Sequence, residues 1–213
     1  NPSPITAYGV FMGMKAAAHH AFGSNILEDK VIYVQGIGNV GEALVESLIN
    51  EGAKVYISDI NQERLEEVRD KYSVTIYEGD NIYAEEMDIY APCALGATIN
   101  DQTLSQLKAK VIAGAANNQL AEENKHGLLL KEKGIVYAPD FLINAGGIIN
   151  VYAELENYDK KEIIRKTENI YNTTLEILKN ADTNGVTTHQ AAFHIAQGRI
   201  DARSLKNNKK QLN

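Results

Sequence analysis

The stretch Val31-Ile32-Tyr33-Val34-Gln35-Gly36-Ile37-Gly38-Asn39-Val40-Gly41 decides the fold. Its first five residues form a β-branched, apolar run that reads as a buried strand. Three glycines follow at G-x-G-x-x-G spacing. Val40, Ala43, Leu44, Leu48 and Ile49 then fall on or near one face of a helix, and Gly52 ends it as a left-handed residue. A bare glycine pattern is a weak signal, because glycine is common. This one follows a strand, opens an amphipathic helix, sits in a βαβ unit, and is followed 18 residues after Gly41 by Asp59 at the next strand end. Gly36 allows a tight turn, Gly38 lets the backbone approach a pyrophosphate, and Gly41 lets the helix pack closely on the strand. The helix start at Asn39 and Val40 offers free N–H groups and a partial positive charge to phosphates. Asp59, with Ile60 beside it, can accept hydrogen bonds from ribose hydroxyls. The expected cofactor is NAD rather than NADP. A 2′-phosphate ~4 Å from the Asp59 carboxylate would meet repulsion of several kcal/mol at an effective dielectric near 20, and Ile60, Asn61 and Gln62 bring no cation to offset it.

Outward from this unit, further apolar runs read as strands: Val55–Ser58, Val74–Tyr77, Asp88–Ala91 stopped by Pro92, Val111–Gly114, and Ile135–Ala138 stopped by Pro139. A charged helix is expected over Gln62–Lys71, with helical stretches between most of the other strands. Strands alternating with helices predict an α/β fold: a doubly wound, mostly parallel Rossmann sheet with added N- and C-terminal helices. Ser3-Pro4 reads as the start of a helix that runs to about His20 and stops at Gly23, with Ser3 as its cap and Pro4 as its first residue. After Asp140 no strand is evident. Helices are expected over 148–157, 160–180 and 188–199, broken at Asn157–Asp159 and Asp182–Gly185. The expected organisation is an N-terminal helix over 1–23, the Rossmann domain over 24–147, C-terminal helices over 148–204 and a polar, solvated tail over 205–213.

Composition narrows the function. Hydrophobic residues at 44% and charged residues at 23% of 213 suit a folded globular chain. The net charge of −7 gives no help to nucleic-acid or anionic-membrane binding, so neither partner is expected. No apolar run approaches the ~20 residues of a membrane span. Cys93 is the single cysteine and cannot form an internal disulfide, which fits a reducing, cytoplasmic setting. The five histidines show no metal-ligand spacing and read as surface or partly buried side chains, so no metal is expected. The chain opens on Asn1 without a leader and reads as a piece of a longer protein.

Several separate motifs, in order, resemble the leucine/phenylalanine/valine dehydrogenases, relatives of glutamate dehydrogenase. They are Asn1-Pro2-Ser3-Pro4-Ile5-Thr6-Ala7-Tyr8-Gly9-Val10, the glycine loop, Tyr90-Ala91-Pro92-Cys93-Ala94-Leu95-Gly96-Ala97, Gly114-Ala115-Ala116-Asn117-Asn118-Gln119-Leu120, and Ala138-Pro139-Asp140-Phe141-Leu142-Ile143-Asn144-Ala145-Gly146-Gly147. The likeness runs from about Asn1 to Ile200, the cofactor-binding part of such enzymes. It implies that Thr6 lies near the nicotinamide end, that Ala91, Pro92 and Cys93 line the ribose, and that Ala116 and Asn117 touch the nicotinamide side. Asn144 would sit where substrate and nicotinamide meet, and Val186 would line the pocket for the substrate side chain. Residue by residue, the plainer readings are strand stop for Pro92, turn asparagine for Asn117, helix cap for Asp140 and packed thiol for Cys93.

The implied reaction moves a hydride from the Cα of an amino acid to NAD, after which the imine is hydrolysed to a 2-oxo acid and ammonia. That chemistry needs a general base and a cation for the carboxylate. In the family these stand in a glycine-rich lysine motif on a preceding domain. No such motif occurs here, so no catalytic acid or base is assigned. The segment Gly185-Val186-Thr187-Thr188-His189-Gln190-Ala191-Ala192-Phe193-His194 departs from the acidic and arginine-rich helix usual in the family. The expected activity is dehydrogenation of a branched-chain amino acid by a longer form, expected to be a homo-oligomer. A non-catalytic NAD-binding module is the alternative.

Overall fold

The computed structural model describes residues 2–156 and 159–211. Six strands, β1 (Val31–Gln35), β2 (Lys54–Ser58), β3 (Thr75–Ile76), β4 (Ile89–Pro92), β5 (Val111–Ile112) and β6 (Val136–Tyr137), form one sheet in the order β3-β2-β1-β4-β5-β6. Every pairing is parallel. The chain winds outward from β1 to β3, returns to the middle, and winds the other way from β4, giving the doubly wound arrangement with its switch point between β1 and β4. In register, Gln35 of β1 lies beside Ser58 of β2 and Pro92 of β4. The next residues, Gly36, Asp59 and Cys93, therefore leave the sheet at one level.

Alternation along the strands sorts the two faces. Ile32, Val34, Val55, Ile57, Ile89 and Ala91 pack on one side, against Val10 and Met14 of α1 (Ser3–Phe22) and Leu44 and Leu48 of α2 (Asn39–Asn50). The same cluster takes in Leu65 of α3 (Gln62–Tyr72). Tyr33, Tyr90, Ile112 and Tyr137 pack on the other, against Leu104 of α4 (Asp101–Gln106) and Leu130 of α5 (Glu123–Glu132). On that face Tyr33 and Tyr56 stack with centroids 4.6 Å apart. Each fully buried aliphatic side chain of this kind contributes about 1.5–3 kcal/mol.

The remaining helices are α6 (Asp140–Ile143), α7 (Gly146–Leu155), α8 (Lys160–Glu168), α9 (Ile170–Asn184) and α10 (Thr188–Gln211). The stretch expected as one helix over 160–180 is two, divided at Asn169. Just before the division Thr167, fully buried, donates its hydroxyl to the Ile163 carbonyl at 2.8 Å, a back-bond that bends helices. α9 then runs on to Asn184 and ends at Gly185, whose φ is +65°. The helix expected over 188–199 runs on through the stretch expected as a polar, solvated tail, so α10 reaches Gln211. Beyond Gly198 it carries neither glycine nor proline, and Ala202, Arg203, Leu205 and the lysines favour helix. The break expected at Asn157–Asp159 falls mostly on residues outside the described ones, although Asp159 caps α8 by accepting from the Glu162 amide at 2.8 Å. α1 begins one residue earlier than expected, at Ser3, with Pro2 as its cap residue. Pro92 ends β4 from inside the strand rather than stopping it from outside.

α1 lies very close to α6. A methyl on Gly13 would stand 2.2 Å from Cγ2 and 2.7 Å from Cβ of Ile143. Gly13→Ala should therefore destabilise the chain by about 1–3 kcal/mol, although alanine favours helix by about 1 kcal/mol. Urea unfolding measures the change, and Ile143→Ala combined with it should recover part of the loss.

Candidate functional site

Three strand ends are stitched beyond the ladder, two of them one residue past it and the third by the loop after β5. Gly36 N–H donates to the Ser58 carbonyl at 2.7 Å, Cys93 N–H to Gln35 at 2.7 Å, and Ala116 N–H to Pro92 at 2.9 Å. The glycine loop crosses this edge. Gly36 has φ +99°, a conformation L side chains rarely adopt, and a Cβ on Gly41 would meet the Gly36 carbonyl oxygen at 2.1 Å. The first turn of α2 thus rests on the backbone of the turn that precedes it. A Cβ on Gly38 would meet nothing within 4 Å, and Gly38 is the cap residue of α2 with no side chain accepting from the helix start. Asn39 and Val40 open that helix, Asn39 exposed and Val40 half-buried. The arrangement leaves open space in front of an uncapped helix N-terminus, which fits a pyrophosphate.

Asp59 stands at the same edge. One carboxylate oxygen accepts from the Ile37 N–H at 2.8 Å and the other from the Asn61 N–H at 3.0 Å. The carboxylate thereby fixes the loop, and its remaining lone pairs suit ribose hydroxyls. Ile60 is wholly exposed beside it. On the other side of the switch point, Ala91 and Pro92 are buried and Cys93 packs against the aliphatic core. Burial pushes the Cys93 thiol up to about 12, with a hydrogen bond from the Ala115 backbone opposing it. A thiol so placed is not a ready nucleophile.

Farther along, Asn144 donates its side-chain amide to Asn117 Oδ1 at 2.6 Å and to the Ala115 carbonyl at 3.3 Å. Ala116 is buried next to them. Thr6 belongs to the same neighbourhood, since a Cβ on Gly147 would lie 3.1 Å from its hydroxyl, which donates to the Pro2 carbonyl at 3.1 Å. Val186 packs against Ile177, Ala181 and Ala191. It lines a hollow of about 320 Å³ with His20, Lys131, Leu178 and Asp182. A smaller hollow of about 240 Å³ adjoins Asn117, lined by Asn118, Tyr137, Asp140, Phe141 and His189 among others.

Some residues that shape the site carry no local sequence signal for it. Gln119 is fully buried and donates to the Gly114 and Ala116 carbonyls, both at 2.9 Å, so it braces the loop that ends β5. Asp140 is not the cap of its own helix, where Pro139 takes that position. Its carboxylate instead accepts from the Gln119 amide at 2.9 Å and the Phe141 amide at 2.6 Å. His189 pairs with Glu123 at 2.6 Å and packs edge-on against Phe141. Arg64 donates Nε to the Ile37 carbonyl at 3.2 Å. His126 is buried rather than peripheral. Its Nδ1 accepts from the Glu122 amide at 2.9 Å, and its Nε2 lies 3.1 Å from Asp101 Oδ1, tying α5 to α4.

Comparison with known proteins identifies this architecture. The family model described as Glutamate/Leucine/Phenylalanine/Valine dehydrogenase matches residues 3–62 and 57–207. The chain belongs to the glutamate/leucine/phenylalanine/valine dehydrogenase family. Leucine dehydrogenase from Bacillus cereus is 52% identical over 209 residues, covering 98% of this chain and 56% of the relative. Leucine dehydrogenase from Thermoactinomyces intermedius is 51% identical over 201 residues, covering 94% and 55%. The crystal structure of L-tryptophan dehydrogenase from Nostoc punctiforme superposes with a TM-score of 0.91 at 44% identity, covering 94% of this chain and 61% of that one. The chain thus spans a little over half the length of these dehydrogenases. Among the described residues no helix is long and apolar enough to cross a membrane, and no group of three or more His, Cys, Asp or Glu side chains is arranged to hold a metal.

The protonated state of Cys93 gives a direct check. At pH 8 iodoacetamide should modify Cys93 far more slowly in the folded chain than in urea, because the thiolate is the reacting form. Equal rates in the two conditions, followed by mass spectrometry, would contradict the packing described.

Proposed function

We propose that this chain is the NAD-binding part of an amino-acid dehydrogenase. The whole enzyme would catalyse reversible oxidative deamination of a branched-chain L-amino acid (leucine, valine or isoleucine) to the 2-oxo acid and ammonia. In this reading residues 24–147 bind the dinucleotide, while 1–23 and 148–204 are helices packed around it. The observation that carries the proposal is the common level of Gly36, Asp59 and Cys93 beside an uncapped α2. It supplies a phosphate site, a ribose acceptor and a cleft wall along one line, as a dinucleotide requires.

Bound NAD would supply the hydride acceptor. The chain's own residues would hold and orient it. Amides at Gly38, Asn39, Val40 and Gly41 would take the pyrophosphate, and Asp59 and Ile60 would flank the adenosine ribose. Ala91, Pro92 and Cys93 would line the second ribose. Thr6, Ala116, Asn117 and Asn144 would surround the nicotinamide end, with Asn144 also facing substrate and Val186 bordering the side-chain pocket. The catalytic base and the carboxylate-binding cation are assigned to residues outside this chain. Two features support that assignment. Both Asp140 oxygens already accept backbone amides, and His189 is paired with Glu123. α7 also exposes Ile148, Val151, Tyr152 and Leu155, an apolar face suited to packing against the remainder of a longer, oligomeric enzyme.

Binding measurements test the cofactor. NADH should bind well above NADPH, and Asp59→Ala should narrow the gap by about tenfold or more, the size of one lost charge repulsion. Comparable affinities in the unmutated chain would refute the role of Asp59. Gly38→Ala should leave the melting temperature unchanged, since its methyl meets open space, yet weaken NADH by about tenfold. The reaction itself is tested on the full-length gene product, which should reduce NAD with L-leucine, L-valine or L-isoleucine. A product that binds NAD and turns over no amino acid would be a binding module instead.

A further inference from the structure

We propose that cofactor choice is set jointly by Asp59 and Glu42, with Glu42 holding Arg64 in a pairing that withholds its guanidinium from a 2′-phosphate. The inference rests on the NAD-binding reading above. It begins at Ile37, the middle of the glycine loop, which is held at both ends. Its N–H donates to Asp59 Oδ2 at 2.8 Å, and its carbonyl accepts from Arg64 Nε at 3.2 Å. A guanidinium therefore lies one residue's width from the carboxylate assigned to the ribose. Arg64 is in the first turn of α3, where its own amide is capped by Asn61 Oδ1 at 3.1 Å. An arginine so near the ribose carboxylate is well placed for a 2′-phosphate, which it can bind with two parallel N–H bonds.

All three nitrogens of this guanidinium already have acceptors. Nε is on the Ile37 carbonyl, Nη1 lies 3.0 Å from Glu67, and Nη2 is paired with Glu42. Glu67 is an exposed partner whose grip is weak, whereas the Glu42 side chain is mostly buried. Glu42 comes from the first turn of α2, so its pairing turns Arg64 toward that helix. Lys71 reaches the same carboxylate at 2.9 Å, and the Tyr72 hydroxyl lies 3.4 Å away. Burial works against ionisation of Glu42, but Lys71 and Arg64 outweigh it and hold its carboxyl below the usual range. The restraint is therefore charged at neutral pH. If Glu42 were only a brace between α2 and α3, its loss would weaken both dinucleotides alike. If it withholds Arg64, its loss changes the ratio.

Fluorescence enhancement of NADH and NADPH, excited in the reduced nicotinamide's own band where aromatic side chains do not absorb, reads binding without protein background. Dissociation constants for both are measured on the unmutated chain and on Asp59→Ser, Asp59→Ser/Glu42→Gln and Asp59→Ser/Glu42→Gln/Arg64→Gln, with melting temperatures alongside. Adding Glu42→Gln to Asp59→Ser should tighten NADPH by about tenfold while moving NADH by less than about twofold, and Arg64→Gln should cancel the gain. A parallel change in both constants, or a gain that survives Arg64→Gln, overturns the proposal. Should Glu42→Gln prevent folding, Asp59→Ser/Glu42→Asp decides, because a carboxylate one methylene shorter holds Arg64 less closely and must tighten NADPH relative to NADH; an unchanged ratio there overturns the proposal. Failure of the unmutated chain to bind either dinucleotide removes the NAD-binding reading and this inference together. NADH preference with a ratio indifferent to Glu42 and Arg64 removes this inference alone.

Discussion

The first turn of α2 rests on the carbonyl of Gly36, and that backbone-on-backbone contact governs the rest of the site. With any side chain at Gly41 the helix would have to rise off the sheet edge, since even a methyl would sit 2.1 Å from that oxygen. Because it does not, the helix starts level with the strand ends and directs its unpaired amides across them. The parallel register then brings Asp59 and Cys93 to the same height without any further device. A dinucleotide lying along such an edge would meet donors, acceptor and wall in sequence.

The edge is also held by groups that are not themselves directed at a ligand. Asp59 and Arg64 grip the two ends of Ile37, and Gln119 spans two carbonyls of the loop after β5. Asp140 accepts the Gln119 amide, so the start of α6 is fastened to that loop. Rigid loops lose less entropy when a ligand arrives, and each of these bonds reduces what binding must overcome. The buried side-chain oxygen Oε1 of Gln119 has no hydrogen-bond partner, so the side chain braces the loop through Nε2 alone.

The glycine loop, β1, β2, the alternation of strands and helices and the position of Asp59 were all legible in the sequence, because each is written in neighbouring residues. Periodicity and turn chemistry act over a few positions, and so does their reading. The strand runs were overestimated at Thr75–Ile76, Val111–Ile112 and Val136–Tyr137, where pairing ends before apolar composition does. The division at Asn169 was illegible because the stretch 160–180 holds neither glycine nor proline to mark a break. Gln119, Arg64 and His126 were illegible as braces for a different reason. Their partners are brought to them by the fold, and a lone polar residue does not announce which distant carbonyl it will meet. Glu42 carries no sequence signal for its pairing, and only the packing of α2 against α3 shows its side chain mostly buried.

α1 has an early partner in α2 and late partners in the far helices. It lies on α6 and α9, and its Tyr8 hydroxyl donates to Glu168, 160 residues on, at 2.9 Å. During synthesis this helix leaves the ribosome long before those partners exist. α2 soon packs on one side of it, but the face of α1 at Gly9 and Gly13, which meets Ile143 and Ile170, then has nothing to cover it. An apolar helix waiting in that state is a natural substrate for chaperones and a point of aggregation for truncated chains. The same late closure ties the start of the chain to its far helices, so a ribosome that stalls before α9 releases a sheet without one of its covering layers.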